Sequence, residues 1–392
     1  MQTEHFDIVI NGGGMVGAAL ACGLTQQQFR VAVIERREPE VYDPASLPDV
    51  RISAISRTSV ALLEEIGVWS EIVARRCAPY RQLETWEWQS AKTEFSAALL
   101  NLPELGFMVE NQVLQRVLWE RMQTLGVTLF SPATLKTMDY QSDEQRWAVT
   151  LDQGAPITCR LLVGADGAHS QVRQGAGIGI QGWDYQQSCM LISVECQNAP
   201  GDTTWQQFTP EGPRAFLPLY ENYASLVWYD SPARIDKLKT LTPTQLDREI
   251  MQHFPDCVGQ VRTLRSGAFP LTRRHANTYV KPGVVLVGDA AHTINPLAGQ
   301  GVNLGYRDID ALIDILVSAR QKAAPWWQLD TLKRYQRKRY TDNLLMQTGM
   351  DLFYFAFSNQ HPPVEIIRNI GLMAAQRGGW FKRKALSYAL GL

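Results

Sequence analysis

The apolar positions gather first in a short run, Phe6 to Ile10, that ends in three glycines. A compact apolar run closed by glycine reads as a buried strand leaving its sheet. Small and apolar residues follow from Met15 to Leu24, then a second apolar run from Arg30 to Glu35, so the opening predicts a β-α-β unit. The same strand-to-glycine punctuation recurs at Leu161-Leu-Val-Gly-Ala-Asp-Gly and at Val284-Val-Leu-Val-Gly-Asp-Ala-Ala. Between these two, Cys189 to Tyr229 is rich in β-branched and aromatic residues with Pro and Gly breaks, which predicts antiparallel strands. From Gly305 onward the pattern turns helical, with breaks near Pro325 and at Pro362-Pro363. The order predicts an α/β (α+β) chain: a parallel-sheet domain, an antiparallel sheet inserted into it, and a helical C-terminal region.

Composition narrows the classes. The 392 residues amount to two or three domains, and 45% hydrophobic with 20% charged residues is globular. A net charge of −1 leaves no general basic field for nucleic acid. Six scattered cysteines, with no Cys-x-x-Cys pair, give neither a zinc site nor a redox pair, and reduced buried thiols are expected. With no signal-like segment and no run of roughly 18 apolar residues, a cytoplasmic protein is expected. Charge is uneven, however. From residue 331 on, ten basic residues (Lys333, Arg334, Arg337, Lys338, Arg339, Arg368, Arg377, Lys382, Arg383, Lys384) stand against Asp342, Asp351 and Glu365, leaving +7. Interleaved with Leu352, Phe353, Phe355, Phe357, Trp380, Phe381 and Leu386, this suits a surface peripheral to the inner membrane or a docking face for a partner; a solvated helical face reads equally well.

Gly12-x-Gly14-x-x-Gly17 follows a strand and opens a helix, where glycines let the backbone approach a pyrophosphate at a positive helix N-terminus. Glu35 ends the next strand at about the spacing expected of an acid that binds ribose hydroxyls. The fingerprint alone does not separate NAD from FAD. Asp289, at the end of the third buried run, is placed for a polyol hydroxyl, which a flavin's ribityl chain has and an adenosine lacks. Beyond it, Pro296, Gly299, Gln300, Gly301 and Asn303 lie in a segment opening a helix, whose free N–H groups would stabilise negative charge on the N1–C2=O side of a reduced flavin. The predicted architecture is thus a Rossmann-like FAD-binding domain with an inserted substrate domain.

In order, the glycine fingerprint, Gly164-Ala-Asp166-Gly-x-x-Ser170-x-Val-Arg173 and Gly288-Asp289-Ala-Ala-His292 resemble the three signatures of the single-component aromatic flavin hydroxylases, the p-hydroxybenzoate hydroxylase-like group. Pro296-x-Ala-Gly299-Gln300-Gly301-x-Asn303-x-Gly305-x-x-Asp308 resembles the signature of the ubiquinone-biosynthesis hydroxylase branch. Asp49-Val-Arg51-Ile-Ser-Ala-Ile-Ser, Leu83-Glu-Thr-Trp-Glu-Trp and Gln206-Gln-Phe-Thr-Pro are most similar to its members acting on demethoxyubiquinol-type rings. Two departures are Asn295 for the usual His and Asn11 for an apolar residue.

The resemblance implies FAD, transient NAD(P)H and O2, hydroxylation of a polyprenylated benzoquinol through a C4a-hydroperoxyflavin, and positioning and dryness as the protein's contribution. It places Arg51 near the flavin pyrophosphate or the nicotinamide nucleotide, Gln115 over the adenosine ribose, and Asp166 in a turn supporting both nucleotides; an Asx-turn alone would also explain Asp166. His292 is a weak catalytic candidate beside a simpler structural reading. A second GxGxxG is absent, so NAD(P)H would visit the flavin domain, and a disulfide reductase is disfavoured. Trp205, Phe208, Phe216, Pro218 and Trp228 are candidates for an apolar substrate wall, against the plainer reading of sheet core. The expected division is 1–85, 111–180 and 271–325 for the FAD-binding domain, 86–110 and 181–270 for the substrate domain, and 326–392 for the helical region. An isoprenoid-saturating FAD reductase and a flavin-free prenyl-binding carrier remain as alternatives.

Overall fold

The computed structural model describes residues 3–294, 301–357, 368–373, 376 and 378–390. The first apolar run forms β1 (Glu4–Asn11), with Ile8, Val9 and Ile10 fully buried. A strand covered on both faces needs apolar residues at successive positions, which is why this one does not alternate. It leads through the glycine turn into α1 (Met15–Gln26), whose small residues Gly17, Ala18, Ala19, Ala21 and Gly23 let the helix press closely onto its neighbours. β2 (Val31–Ile34) returns parallel to β1, and α2 (Asn111–Leu125) packs beside α1. β3 (Ile157–Gly164) lies parallel to β1 on its other side.

The chain then enters a second sheet through three antiparallel strands, β4 (Ile180–Cys196), β5 (Tyr223–Asp230) and β6 (Val261–Ala276). It returns to the first sheet with β7 (Val284–Leu286), parallel to β3. These two sheets have eight strands each, and Ile52–Ser56, Gly106–Glu110 and Cys77–Tyr80 make a third, three-stranded one. The second is not wholly antiparallel, because Thr203–Gln207 pairs in parallel with Gln82–Trp86. That pairing joins segments far apart in sequence, so no hairpin turn dictates its direction.

Residue parity along the second sheet creates two distinct faces. Met190, Ile192, Val194, Leu226 and Trp228 cluster with Ile235, Leu238, Leu246 and Ile250 of two short helices, Pro232–Lys239 and Pro243–His253. The opposite face carries Leu191, Val227 and Phe269, and Ser193 on that face donates through Oγ to the carbonyl of Asp49, 3.0 Å away. This inner face therefore looks toward the first domain.

Helices close the chain: α3 (Gly301–Gln321) and α4 (Leu329–Phe357), then a helical segment Gly379–Leu390. The break at Pro362-Pro363 lies outside the described residues. All six cysteines are unpaired; Cys22, Cys159, Cys189 and Cys196 are buried and Cys257 is exposed.

Candidate functional site

β1, β2, β3 and β7 are mutually parallel, so the loops that follow them emerge at one edge of the sheet, where α/β folds bind ligands. Three of these loops interlock. A Cβ on Gly12 would sit 2.4 Å from the Ala165 carbonyl oxygen, and one on Gly17 would sit 2.0 Å from the Gly12 oxygen. The turn closes only because both positions lack side chains. Asn11 donates through Nδ2 to Asp166 Oδ2 at 2.8 Å, joining the first loop to the second. Arg173 donates to the carbonyls of Ala168 and Ala290, at 2.8 and 2.9 Å, joining the second to the third.

The Asn11 departure noted in the sequence thus has a structural partner. Asp166 Oδ2 also accepts from the N–H groups of Gln171 and Val172, which is the Asx-type role, while its buried Oδ1 has no hydrogen-bond partner.

Gly14 differs from its neighbours: a Cβ there would meet nothing within 4 Å, and the same holds for Gly301. Gly14 is also the N-cap of α1, and no side chain caps that helix. Open space and free N–H groups coincide where an anion would be held. Gln115 Nε2 and Trp119 Nε1 both donate to the Gly13 carbonyl, at 3.0 and 2.7 Å, and Glu35 Oε2 accepts from the Gly13 N–H at 2.7 Å. Trp119, which sequence reasoning missed, is half of the clamp on this loop; its 3.6-periodic place among buried helix residues concealed it.

The third loop is shaped from beneath by Asp308. Its Oδ2 accepts from the Gly288 N–H at 3.0 Å and from His292 Nε2 at 2.5 Å, so one oxygen grips both ends of the loop. Its Oδ1 accepts from Arg339 Nε at 2.9 Å and Asn343 Nδ2 at 3.0 Å. Burial alone would raise this carboxyl, but the charge and hydrogen bond of His292, with those of Arg339 and Asn343, bring it down to about 2. His292 is a buried member of this network, satisfied by a carboxylate.

With both ends held down, the turn lifts Asp289 outward. Its side chain is exposed, yet the surrounding protein raises its carboxyl pKa by burial, against the lowering influence of His292 and Arg51. Surface accessibility decides the matter here: a group both reachable and closely surrounded stands in a recess, not in the core. Arg51 is exposed beside it. Asn303 accepts through Oδ1 from Ser56 N and Ser59 Oγ and donates to the Ala54 carbonyl, tying the start of α3 to the segment after Arg51. Pro296, Gly299 and Gln300 lie outside the described residues.

Of the five candidates for the substrate wall, three lie in sheet core, the plainer of their two readings. Trp205, Phe216 and Trp228 belong to the outer cluster, covered by helices and facing away from the first domain. Trp205 and Phe216 stack at 5.7 Å within that core. Phe208 stacks on Phe357 of α4 at 4.0 Å, and Pro218 is buried. Large aromatics filled the face that two helices bury, as their area favours. The face toward the loops holds smaller side chains, Leu191, Ser193, Ser225 and Val227, with Phe269.

The chain matches the FAD binding domain family over residues 5–347. It is 59% identical, over the full length of both chains, to 3-demethoxyubiquinol 3-hydroxylase of Escherichia coli strain K12. It is 35% identical to the ubiquinone hydroxylase UbiL of Rhodospirillum rubrum, covering 98% of this chain and 89% of that one. Among solved structures, p-nitrophenol 4-monooxygenase PnpA of Pseudomonas putida DLL-E4 superimposes with a TM-score of 0.81 at 18% identity, covering 99% of each chain. PqsL of Pseudomonas aeruginosa, a probable FAD-dependent monooxygenase, does so at 0.80 and 22%, covering 94% of this chain and 99% of that one. These two likenesses establish the fold.

Proposed function

This chain belongs to the FAD-binding-domain family, and from that premise we propose that it uses NAD(P)H and O2 to hydroxylate the ring of a polyprenylated benzoquinol of the demethoxyubiquinol type, in ubiquinone biosynthesis. What carries the reading is 59% identity over the full length of both chains with the E. coli 3-demethoxyubiquinol 3-hydroxylase. The recess fits FAD on its own terms: an uncapped helix N-terminus, open space at Gly14 and Gly301, and an outward carboxylate.

In this reading Gly12, Gly14 and Gly17 bring the backbone and the N–H groups of α1 to the pyrophosphate. Glu35 would take the adenosine ribose and Asp289 a ribityl hydroxyl, Arg51 would assist the pyrophosphate or the visiting nicotinamide nucleotide, and Asp166 would support both nucleotides by fixing its turn. Gln115 holds the Gly13 carbonyl and so the pyrophosphate turn. The start of α3, from Gly301 to Asn303, would hold the reacting end of the cofactor, a role we also assign to Pro296, Gly299 and Gln300. Bound FAD supplies the redox chemistry between NAD(P)H and O2. The chain itself excludes water with the apolar inner wall of Leu191, Val227 and Phe269, and presents the ring by its face. An electron-rich quinol ring needs no strong base, in keeping with a His292 committed to Asp308.

We take residues 1–85, 111–180 and 271–325 as the FAD-binding part, 86–110 and 181–270 as the substrate part, and 326–392 as the helical region. Its exposed Leu344, Leu345, Leu352, Ile370 and Met373 form the face we assign to the inner-membrane surface, from which a polyprenyl substrate would be drawn. Among the described residues no helix is long and apolar enough to cross a membrane.

The deciding experiment supplies purified protein with FAD, NAD(P)H, O2 and a short-prenyl demethoxyubiquinol. One hydroxylated ring per NAD(P)H and per O2 is expected. Oxygen-independent reduction of the prenyl chain would establish the reductase alternative instead, and protein that never takes up FAD the carrier alternative.

A further inference from the structure

α4 buries a polar stripe. Arg339, Asn343, Gln347 and Asp351 recur every four residues and all lie below a tenth exposed. Residues four apart share one helix face, and polar groups stay buried only where partners satisfy them. Here the partners come from different parts of the molecule in succession.

Arg339 and Asn343 hold Asp308, which grips the Gly288 end of the flavin loop. Gln347 Nε2 donates to the carbonyls of Arg274, at 2.8 Å, and Thr293, at 3.0 Å. Its Oε1 accepts from His275 Nδ1 at 2.6 Å. The other His275 nitrogen, Nε2, is then free to accept from the Tyr279 hydroxyl at 3.5 Å, and Asn343 Nδ2 donates to that hydroxyl at 3.4 Å. Asp351 Oδ2 lies 2.8 Å from Arg273 Nε, and its Oδ1 accepts from the Tyr185 hydroxyl. Arg273 to His275 lie on β6 and Tyr185 on β4, the strands that bear the inner wall. Twelve residues of helix, about 18 Å at 1.5 Å per residue, thus connect the flavin loop to the substrate wall through hydrogen bonds and, at Asp351, an ion pair with Arg273.

We propose that this stripe sets the spacing and angle between the flavin loop and the inner wall, with Gln347 and Asp351 as positioning residues for the ring. The inference rests on the hydroxylase reading. Ring placement decides where the electrons end, because productive geometry tolerates errors well under an ångström. A well-placed ring gives NAD(P)H + H⁺ + O2 + ring C–H → NAD(P)⁺ + ring C–OH + H2O. A misplaced one gives NAD(P)H + H⁺ + O2 → NAD(P)⁺ + H2O2, with the ring untouched. The stripe therefore governs coupling more than flavin retention.

The test compares wild-type holoenzyme with Gln347→Leu, which keeps bulk without the amide, and Asp351→Asn, which keeps shape without the charge. Hydroxylated product and H2O2 are each measured per NAD(P)H with the short-prenyl quinol. FAD content and amide hydrogen exchange of residues 273–276 and 288–293 are followed in parallel. Expected are full FAD content, at least a threefold rise in the H2O2 share for Gln347→Leu, a smaller rise for Asp351→Asn, and faster exchange in both segments. Wild-type coupling in either variant overturns the proposal, and Asp351→Asn decides alone if Gln347→Leu does not fold. If wild-type protein makes no hydroxylated product, the hydroxylase reading fails. Exchange then still decides whether the stripe links the two segments, and unchanged exchange in both variants refutes it.

Discussion

Gly14 and Gly17 are three residues apart and intolerant for opposite reasons. A methyl on Gly17 collides with the Gly12 carbonyl oxygen, whereas one on Gly14 enters open space. Gly17→Ala is therefore expected to lose soluble folded protein. Gly14→Val should melt like the wild type without FAD yet bind FAD at least tenfold more weakly, as fluorescence titration would read. Asp289→Ala belongs with Gly14: the lost acceptor should cost about 1–3 kcal/mol of FAD affinity, and unchanged affinity would remove Asp289 from the site. His275 gives a pH signature. Burial lowers it to about 4, from 6.5 when free. Between those values the unfolded chain binds the proton more readily, so the stability His275 allows is whole above pH 6.5 and drains as pH falls toward 4. Urea unfolding at pH 7 and pH 5 should show a loss of at most about 2 kcal/mol from this group, absent in His275→Gln. The glycines were legible in the sequence because turn chemistry is local. Asp308 was visible only as a motif letter, because its four donors come from three separate elements.

At the level of elements, strand alternation was readable but the direction of each face was not. Period two separates two sets of side chains and says nothing about which set meets the neighbouring domain. The bulky parity of the second sheet, Trp205, Phe216 and Trp228, drew attention as a ligand wall, and two covering helices made it core. Trp228→Ala should accordingly destabilise by about 3–5 kcal/mol while folded holoenzyme keeps its KM. Phe269→Ala should raise KM several-fold with little change in melting temperature. The reverse pattern in steady-state kinetics and calorimetry would mean that the faces are exchanged. The stripe on α4 was illegible for a related reason. Arg, Asn, Gln and Asp at four-residue spacing look like a solvated face, and only their partners reveal that they point inward.

For the whole molecule, the basic tail is less charged than its sequence count. Lys333 pairs with Asp330, Lys338 with Asp314, Arg339 with Asp308 and Arg368 with Glu87, all acids that lie before residue 331. Membrane attraction should then depend more on the exposed leucines than on lipid charge. Leu345→Glu with Leu352→Glu should abolish flotation with liposomes, and wild-type flotation should persist in 0.5 M salt, about five times the ionic strength at which the Debye length is near 10 Å. Salt-sensitive binding that survives the double change would return the role to the basic residues. The buried cysteines have a meaning of another kind. Burial pushes the Cys22 thiol up to about 12 and Cys196 up to about 11, and also raises Cys159 and Cys189. The thiolate, not the thiol, is the nucleophile that attacks peroxide. If a misplaced ring releases hydrogen peroxide as proposed above, these four buried thiols are poor targets for it, and Cys257, raised by desolvation but exposed, is the cysteine an oxidant in solution can reach.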